Sequence, residues 1–340
     1  MDGYSVCFVD KSRELIRALR REGAFSIAIG KKRELFRIDE YQTFLPSDEG
    51  ALLTAADAPY IFISVGVKNL PELKDFLVAV CELRDPSSLR VVVCENGVDP
   101  ASALRNVLLG TVAQRISISQ CAIFCTTVTD GTQLGILSED YSHVPYDADA
   151  GAFPIECAGF EPVQKFVDLM RRKIYTYNCL SACIAYLGYE RGYVCYADAA
   201  NDAELKPIYE EMTDALDAAL SLELNIPTDE QKAFSRRAMD KFSNPDIADT
   251  IWKNARDARR KISPGERLMG PMAIFLSQKR DIDILCRVIA CAIDYMEREE
   301  ETPQGEGIDL FLQMNGMSRD SQIALLVKRH YEELTGRSCK

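Results

Sequence analysis

Up to about residue 150 the chain carries short, continuous apolar runs; beyond about Pro154 they cease. Residues 5–10 (Ser-Val-Cys-Phe-Val-Asp), 60–65 (Tyr-Ile-Phe-Ile-Ser-Val) and 89–94 (Leu-Arg-Val-Val-Val-Cys) each have the length and β-branched content of a buried strand. Between them, residues 12–22, 69–83 and 99–109 have helical spacing. Asp99 suits an N-cap and Pro100 the first helical position. Apolar strands alternating with helices predict a mainly parallel sheet covered on both faces. Residues 26–30 and 34–38 read as a hairpin beside it. After Pro154, residues 162–187, 202–224, 228–242, 245–261, 271–278, 282–298 and 318–335 all read as helix, and almost nothing alternates with period two. The expectation is an α/β domain over 1–155 followed by an all-α domain over 156–340.

Composition removes several function classes. A net charge of −12 with no long basic run argues against nucleic acid as a partner. No 18-residue apolar span or signal peptide is visible, which points away from the membrane and to the cytoplasm. The 12 Cys form no Cys-x-x-Cys, and with 2 His they offer no zinc ligand set, so they read as reduced, mostly buried thiols and no metal is expected. The acidic run 297–301 (Glu-Arg-Glu-Glu-Glu) leads into Pro303-Gln304-Gly305 and reads as a helix end entering a solvated loop.

One stretch carries chemistry. Residues 172–182 contain no Gly or Pro, so helix is the default. Lys173, Tyr177 and Ser181 are four apart and Asn178 is three from Ser181, so one face can present an amine, an amide and a hydroxyl. An amine left neutral by burial can take a proton from a substrate hydroxyl, while an amide holds the oxygen whose charge changes. Asp10, at the end of the first strand, suits the carboxylate that holds the adenosine ribose of a dinucleotide.

These pieces resemble the mannitol-1-phosphate 5-dehydrogenase branch of the long-chain mannitol dehydrogenase family. Residues 173–188 are similar to that family's Lys-x-x-x-x-Asn-x-x-His helix running on to Ala-Tyr-Leu-Gly. Phe242-Ser243-Asn244-Pro245 resembles its Phe-x-Asn-Pro turn. Residues 260–271 resemble its Arg-Lys-Leu-x-x-x-Asp-Arg-Leu-x-x-Pro segment, Cys94-Glu95-Asn96 its Cys-Glu-Asn strand end, and Ser64-Val65-Gly66 its cofactor loop. The resemblance implies a Rossmann-like first domain and reversible NAD-linked oxidation of a sugar-alcohol phosphate to a ketose phosphate. Lys173 would be the general acid/base, and Asn178 and Asn96 would polarise the reacting oxygen. Lys253 and Lys261 would hold substrate hydroxyls or phosphate. Asp10, Ser64, Gly66 and Glu95 would meet the cofactor, with Asp10 favouring NAD over NADP.

The sequence departs from the family pattern at three places. Ser181 stands where the family has His, and Phe124-Cys125 where it has Asp-Arg. No Gly-x-Gly-x-x-Gly occurs, and the resemblance starts at the family's second strand, with Met1-Asp2-Gly3-Tyr4 reading like a helix end and its Gly cap. The expectation is therefore an incomplete dinucleotide-binding domain that holds NAD weakly and leaves strand edges open beside residues 5–9 and 60–65. The alternative function is a catalytically impaired member that binds a sugar phosphate or a protein. Oligomeric state is left open.

Overall fold

The computed structural model describes residues 3–30, 32–151, 153–247 and 249–336. Met1, Asp2 and Cys339 lie outside them. The chain divides into two compact units, Met1–Met170 and Arg171–Lys340.

The first unit is α/β. Its strands are β1 (Val6–Val9), β2 (Phe25–Ile29), β3 (Glu34–Ile38), β4 (Tyr41–Phe44), β5 (Ile61–Ile63), β6 (Arg90–Val93), β7 (Ser117–Gln120), β8 (Thr127–Thr129), β9 (Ile136–Ser138), β10 (Val144–Asp147) and β11 (Phe160–Val163). Its helices are α1 (Arg13–Glu22), α2 (Glu49–Asp57), α3 (Lys74–Leu83) and α4 (Pro100–Leu108). The parallel sheet β5-β6-β7 holds the core. Along β6, Val91 and Val93 pack with Leu77 and Val80 of α3 and Leu104 and Leu108 of α4. Val92 turns to the other face, with Tyr60, Cys121 and Tyr146. That alternation is the period-two consequence of a strand buried on both sides. Asp99 caps α4 by accepting from the Ser102 amide at 3.1 Å, as the sequence suggested.

The expected single sheet is instead four. β1 pairs only with β4, β5 lies at the edge of its own sheet, β3-β2-β9-β8 form a third sheet and β10-β11 a fourth. No described strand covers the outer edges of β1 and β5, where Val6 is 41% and Phe62 43% exposed. The hairpin at β2–β3 is antiparallel, as read from the sequence. The helix expected over 69–83 opens as a 3₁₀ stretch, Val67–Leu73, with Pro71 inside it, and becomes α-helical only at Lys74. The helix expected from 162 is also corrected: Pro162 belongs to β11, which pairs only with β10. An edge strand tolerates a residue with no N–H to donate.

The second unit is helical. It continues α5 (Phe166–Lys173) through a five-residue π-helical turn, Ile174–Asn178, into α6 (Cys179–Glu190). Then follow α7 (Tyr196–Ala200), α8 (Lys206–Glu223), α9 (Thr228–Phe242), α10 (Ile251–Ala255), α11 (Ala258–Lys261), α12 (Met269–Ser277), α13 (Asp283–Glu299), α14 (Gly307–Met314) and α15 (Gln322–Thr335). α13 is the central post: residues 288–296 are all buried, and Tyr295 meets Tyr186 of α6 edge to face at 5.9 Å. The helix expected over 245–261 is broken in two at Asp257, whose φ of 64° is left-handed. α14 was not foreseen. It starts at Gly307, where a Cβ would come within 2.6 Å of Glu297 and Ile293 of α13. None of the described helices is long and apolar enough to cross a membrane.

Candidate active site

The stretch expected as plain helix is interrupted by the π turn Ile174–Asn178, which lies between the candidate residues Lys173 and Ser181 and ends on Asn178. The Cys179 amide reaches back five residues to the Ile174 carbonyl. In a regular α-helix five steps of about 100° leave residue i+5 about 140° away from residue i. A turn closed over five residues holds about one residue more. Five steps then make roughly one revolution plus a few tens of degrees. This brings Asn178 back towards the meridian of Lys173. Lys173 is only 5% exposed, Asn178 is half-buried, and Ser181 is half-buried one turn further on. Tyr177 packs its ring on Phe234 at 4.9 Å and on Phe242 at 6.1 Å.

Beneath the turn lies a polar network that sequence reading missed. Arg172 Nε donates to Gln231 Oε1 at 2.8 Å, and its guanidinium pairs with Glu230 at 2.6 Å and lies over the Phe234 ring at 4.4 Å. Gln231 Nε2 is within donating reach of Thr176 Oγ1 (3.0 Å), Asp217 Oδ1 (3.2 Å) and Ser235 Oγ (3.2 Å). Ser235 Oγ also donates to Asp217. Gln231, Ser235 and Thr176 have no exposed surface. Burial pushes the Asp217 carboxyl up, against the lowering effect of its bonds from Ser235 and Gln231. The available signal was Gln231 and Ser235, four apart on the apolar face of α9 with Phe234 and Ala238.

Lys253 and Lys261 lie on the consecutive short helices α10 and α11. Lys253 pairs with Asp249 at 3.4 Å. Lys261 is 4% exposed, donates from Nζ to the Asn254 carbonyl and sits 5.7 Å from the Tyr186 ring centre. Burial, reinforced by the neighbouring Arg267 and Arg260 guanidiniums, lowers its pKa to about 7. No role for those two arginines was read from the sequence. Arg260 is held by Asp257 and Glu266, and Arg267 has a buried Nε with no hydrogen-bond acceptor.

In the first unit, Asp10 follows β1 and its Oδ1 accepts from the Ser12 amide at 2.7 Å. Ser64 is exposed after β5, and Gly66 has a φ of 88°. Glu95 does not face outward. It is 8% exposed, and its Oε1 accepts from the amides of both Val65 and Gly66 at 2.6 Å. Burial raises its pKa while those two bonds lower it. Its visible work is to tie the end of β6 to the loop after β5; Asn96 beside it is exposed. Phe124 stacks near Tyr141 at 6.0 Å, and Cys125 Sγ lies 3.1 Å from Ser138 Oγ, so this pair braces a local loop. Among the described residues there is no group of three or more His, Cys, Asp or Glu that could hold a metal ion.

The pattern of the mannitol dehydrogenase C-terminal domain matches residues 163–335. The chain belongs to the mannitol dehydrogenase family. Mannitol-1-phosphate 5-dehydrogenase of Caldanaerobacter subterraneus subsp. tengcongensis is 23% identical across 98% of this chain and 93% of its own length. The namesake enzyme of Emericella nidulans is 25% identical across 96% and 89%. Among solved structures, Pseudomonas fluorescens mannitol 2-dehydrogenase, in a ternary complex with NAD and D-mannitol, superposes with a TM-score of 0.76 at 15% identity, over 98% of this chain and 85% of that one. A probable 2-dehydropantoate 2-reductase from Bacillus subtilis gives 0.54 at 14% identity, over 85% and 91%. These likenesses establish the fold, a Rossmann-like unit joined to the family's helical domain. For a dinucleotide the fit is divided. Asp10 at a strand end suits ribose hydroxyls. No described Gly-x-Gly-x-x-Gly turn presents amides to a pyrophosphate, and the Val65 and Gly66 amides are already taken by Glu95.

Proposed function

We propose that this family member is an NAD-linked dehydrogenase that interconverts a sugar-alcohol phosphate of the mannitol-1-phosphate type and the corresponding ketose phosphate. The observation that carries the reading is the π turn: it sets the nearly buried Lys173 and the amide of Asn178 towards one face of one helix. Lys173 takes the hydroxyl proton as the carbinol is oxidised, and Asn178 donates to the oxygen that becomes the carbonyl. NAD, when bound, accepts the hydride. Asp10 holds its ribose and repels the 2′-phosphate of NADP. Lys261, with Lys253, Arg260 and Arg267 in the same unit, favours an anionic substrate over a neutral polyol. The relatives described above are named as dehydrogenases and give no support to a purely binding role.

The test is a steady-state assay with NAD and three substrates: mannitol 1-phosphate, D-mannitol and D-sorbitol. The expected result is turnover with a kcat/KM for the phosphate ester at least about tenfold above the free polyols, the scale of one charge-assisted contact. Equal or better use of free polyols contradicts the phosphate assignment, and no turnover on any of them contradicts the reaction.

A further inference from the structure

We propose that Gln231 is a positioning residue for this site: through the Thr176 hydroxyl it fixes the π turn that brings Asn178 round towards Lys173. The inference rests on the reading of Lys173 and Asn178 as the reacting pair. Thr176 is the middle residue of the turn Ile174–Asn178 and has no exposed surface. Its Oγ1 accepts from Gln231 Nε2 at 3.0 Å. Gln231 is anchored in turn. Its Oε1 accepts from Arg172, the residue before Lys173, and its amide nitrogen also reaches Asp217 on α8 and Ser235 on α9. Two other helices, α8 and α9, are thus tied to one five-residue segment and to the end of α5 that leads into it.

A five-residue turn within a helix is uncommon and concentrates at functional sites. Left to backbone bonding alone, the segment has the α-helical alternative, whose i→i−4 pattern would swing Asn178 away from Lys173. A buried polar network favours one backbone arrangement, because a turn that moves the Thr176 hydroxyl away from Gln231 Nε2 leaves that hydroxyl without its buried donor. Gln231 is suited to this work because a single amide both accepts and donates. Apolar packing could fill the same volume but could not discriminate between the two turns.

Thr176→Val removes the hydroxyl at nearly constant volume and leaves Gln231 Nε2 two other acceptors, so the fold should persist; Thr176→Ser keeps the hydroxyl. On the full chain, two quantities are measured: kcat and KM for the phosphate ester, and hydrogen exchange at the Cys179 amide. In the valine variant kcat should fall about tenfold to a hundredfold, the cost of displacement by about an ångström, with KM within about threefold. Exchange at Cys179 should rise about tenfold or more while the melting temperature stays close to wild type. The serine variant should restore both. A valine variant with kcat within twofold, or with unchanged exchange at Cys179, overturns the inference. If the wild-type chain turns over no polyol phosphate, the proposed function fails, and the exchange measurement alone still decides whether Gln231 holds the turn through Thr176.

Discussion

In the helical unit α6 and α13 are wrapped by their neighbours, with 288–296 of α13 buried without a break. In the first unit β1 has no buried residue, and its sheet is a single pair. The difference follows from where each element finds hydrogen-bond partners. A helix satisfies its own backbone and needs only an apolar face against a neighbour. A strand needs another strand on each side, and β1 and β5 each have one. Sites that require precise geometry are better held by the first kind of element, and the proposed site residues Lys173, Asn178, Lys253 and Lys261 all lie in helical segments.

The contrast is sharpest in stability. Phe311→Ala in α14, where the ring has no exposed surface, should cost about 3–5 kcal/mol in denaturant unfolding. Val6→Thr on the open edge of β1, where the side chain is 41% exposed, should change stability by no more than about 0.5 kcal/mol. Comparable losses at the two positions would break the comparison, because they would mean that β1 is covered as thoroughly as α14.

A smaller effect is expected at Lys261. Its folded pKa is lowered from 10.5 to about 7, so between those values the folded chain holds fewer protons than the unfolded one. Stability should therefore rise with pH across that window, with the full penalty of burying the charge present below about pH 7. Lys261→Met should flatten this rise. If Lys261 holds substrate phosphate, KM for the phosphate ester should also climb by about threefold to tenfold as the pH is raised from 6 to 8.5, since the neutral amine attracts an anion less. That climb should be absent in the methionine variant. A KM that is flat with pH in wild type separates Lys261 from the substrate.

Much of this arrangement was legible in the sequence, for identifiable reasons. The strand at β6 showed as a short β-branched run because a buried parallel strand is apolar on both faces. β1 and β5 were legible as strands, but β1 has no buried residue and Phe62 of β5 is exposed, so the burial expected of them is corrected. The Asp99 cap was readable because its chemistry is local. What escaped depends on distant partners. Whether β1 and β5 share a sheet depends on which strand comes between them, and periodicity carries no such information. The tie that Glu95 makes to the loop after β5 could not be read from the sequence, because only the fold shows the Val65 and Gly66 amides converging on its carboxylate. The π turn was invisible for the same reason: residues 172–182 look like helix by propensity, and what selects a five-residue turn is Gln231, some fifty residues further on.

The central claim is that the helical unit supplies the proton acceptor, and Lys173→Ala tests it most directly. Measured with NAD and mannitol 1-phosphate on the full chain, kcat should fall by about 10²–10⁴-fold with KM little changed, because the amine acts on the reacting hydroxyl while Lys253 and Lys261 hold the ground state. Retention of more than about a tenth of wild-type kcat, well short of the loss expected for a general base, would contradict the assignment of Lys173.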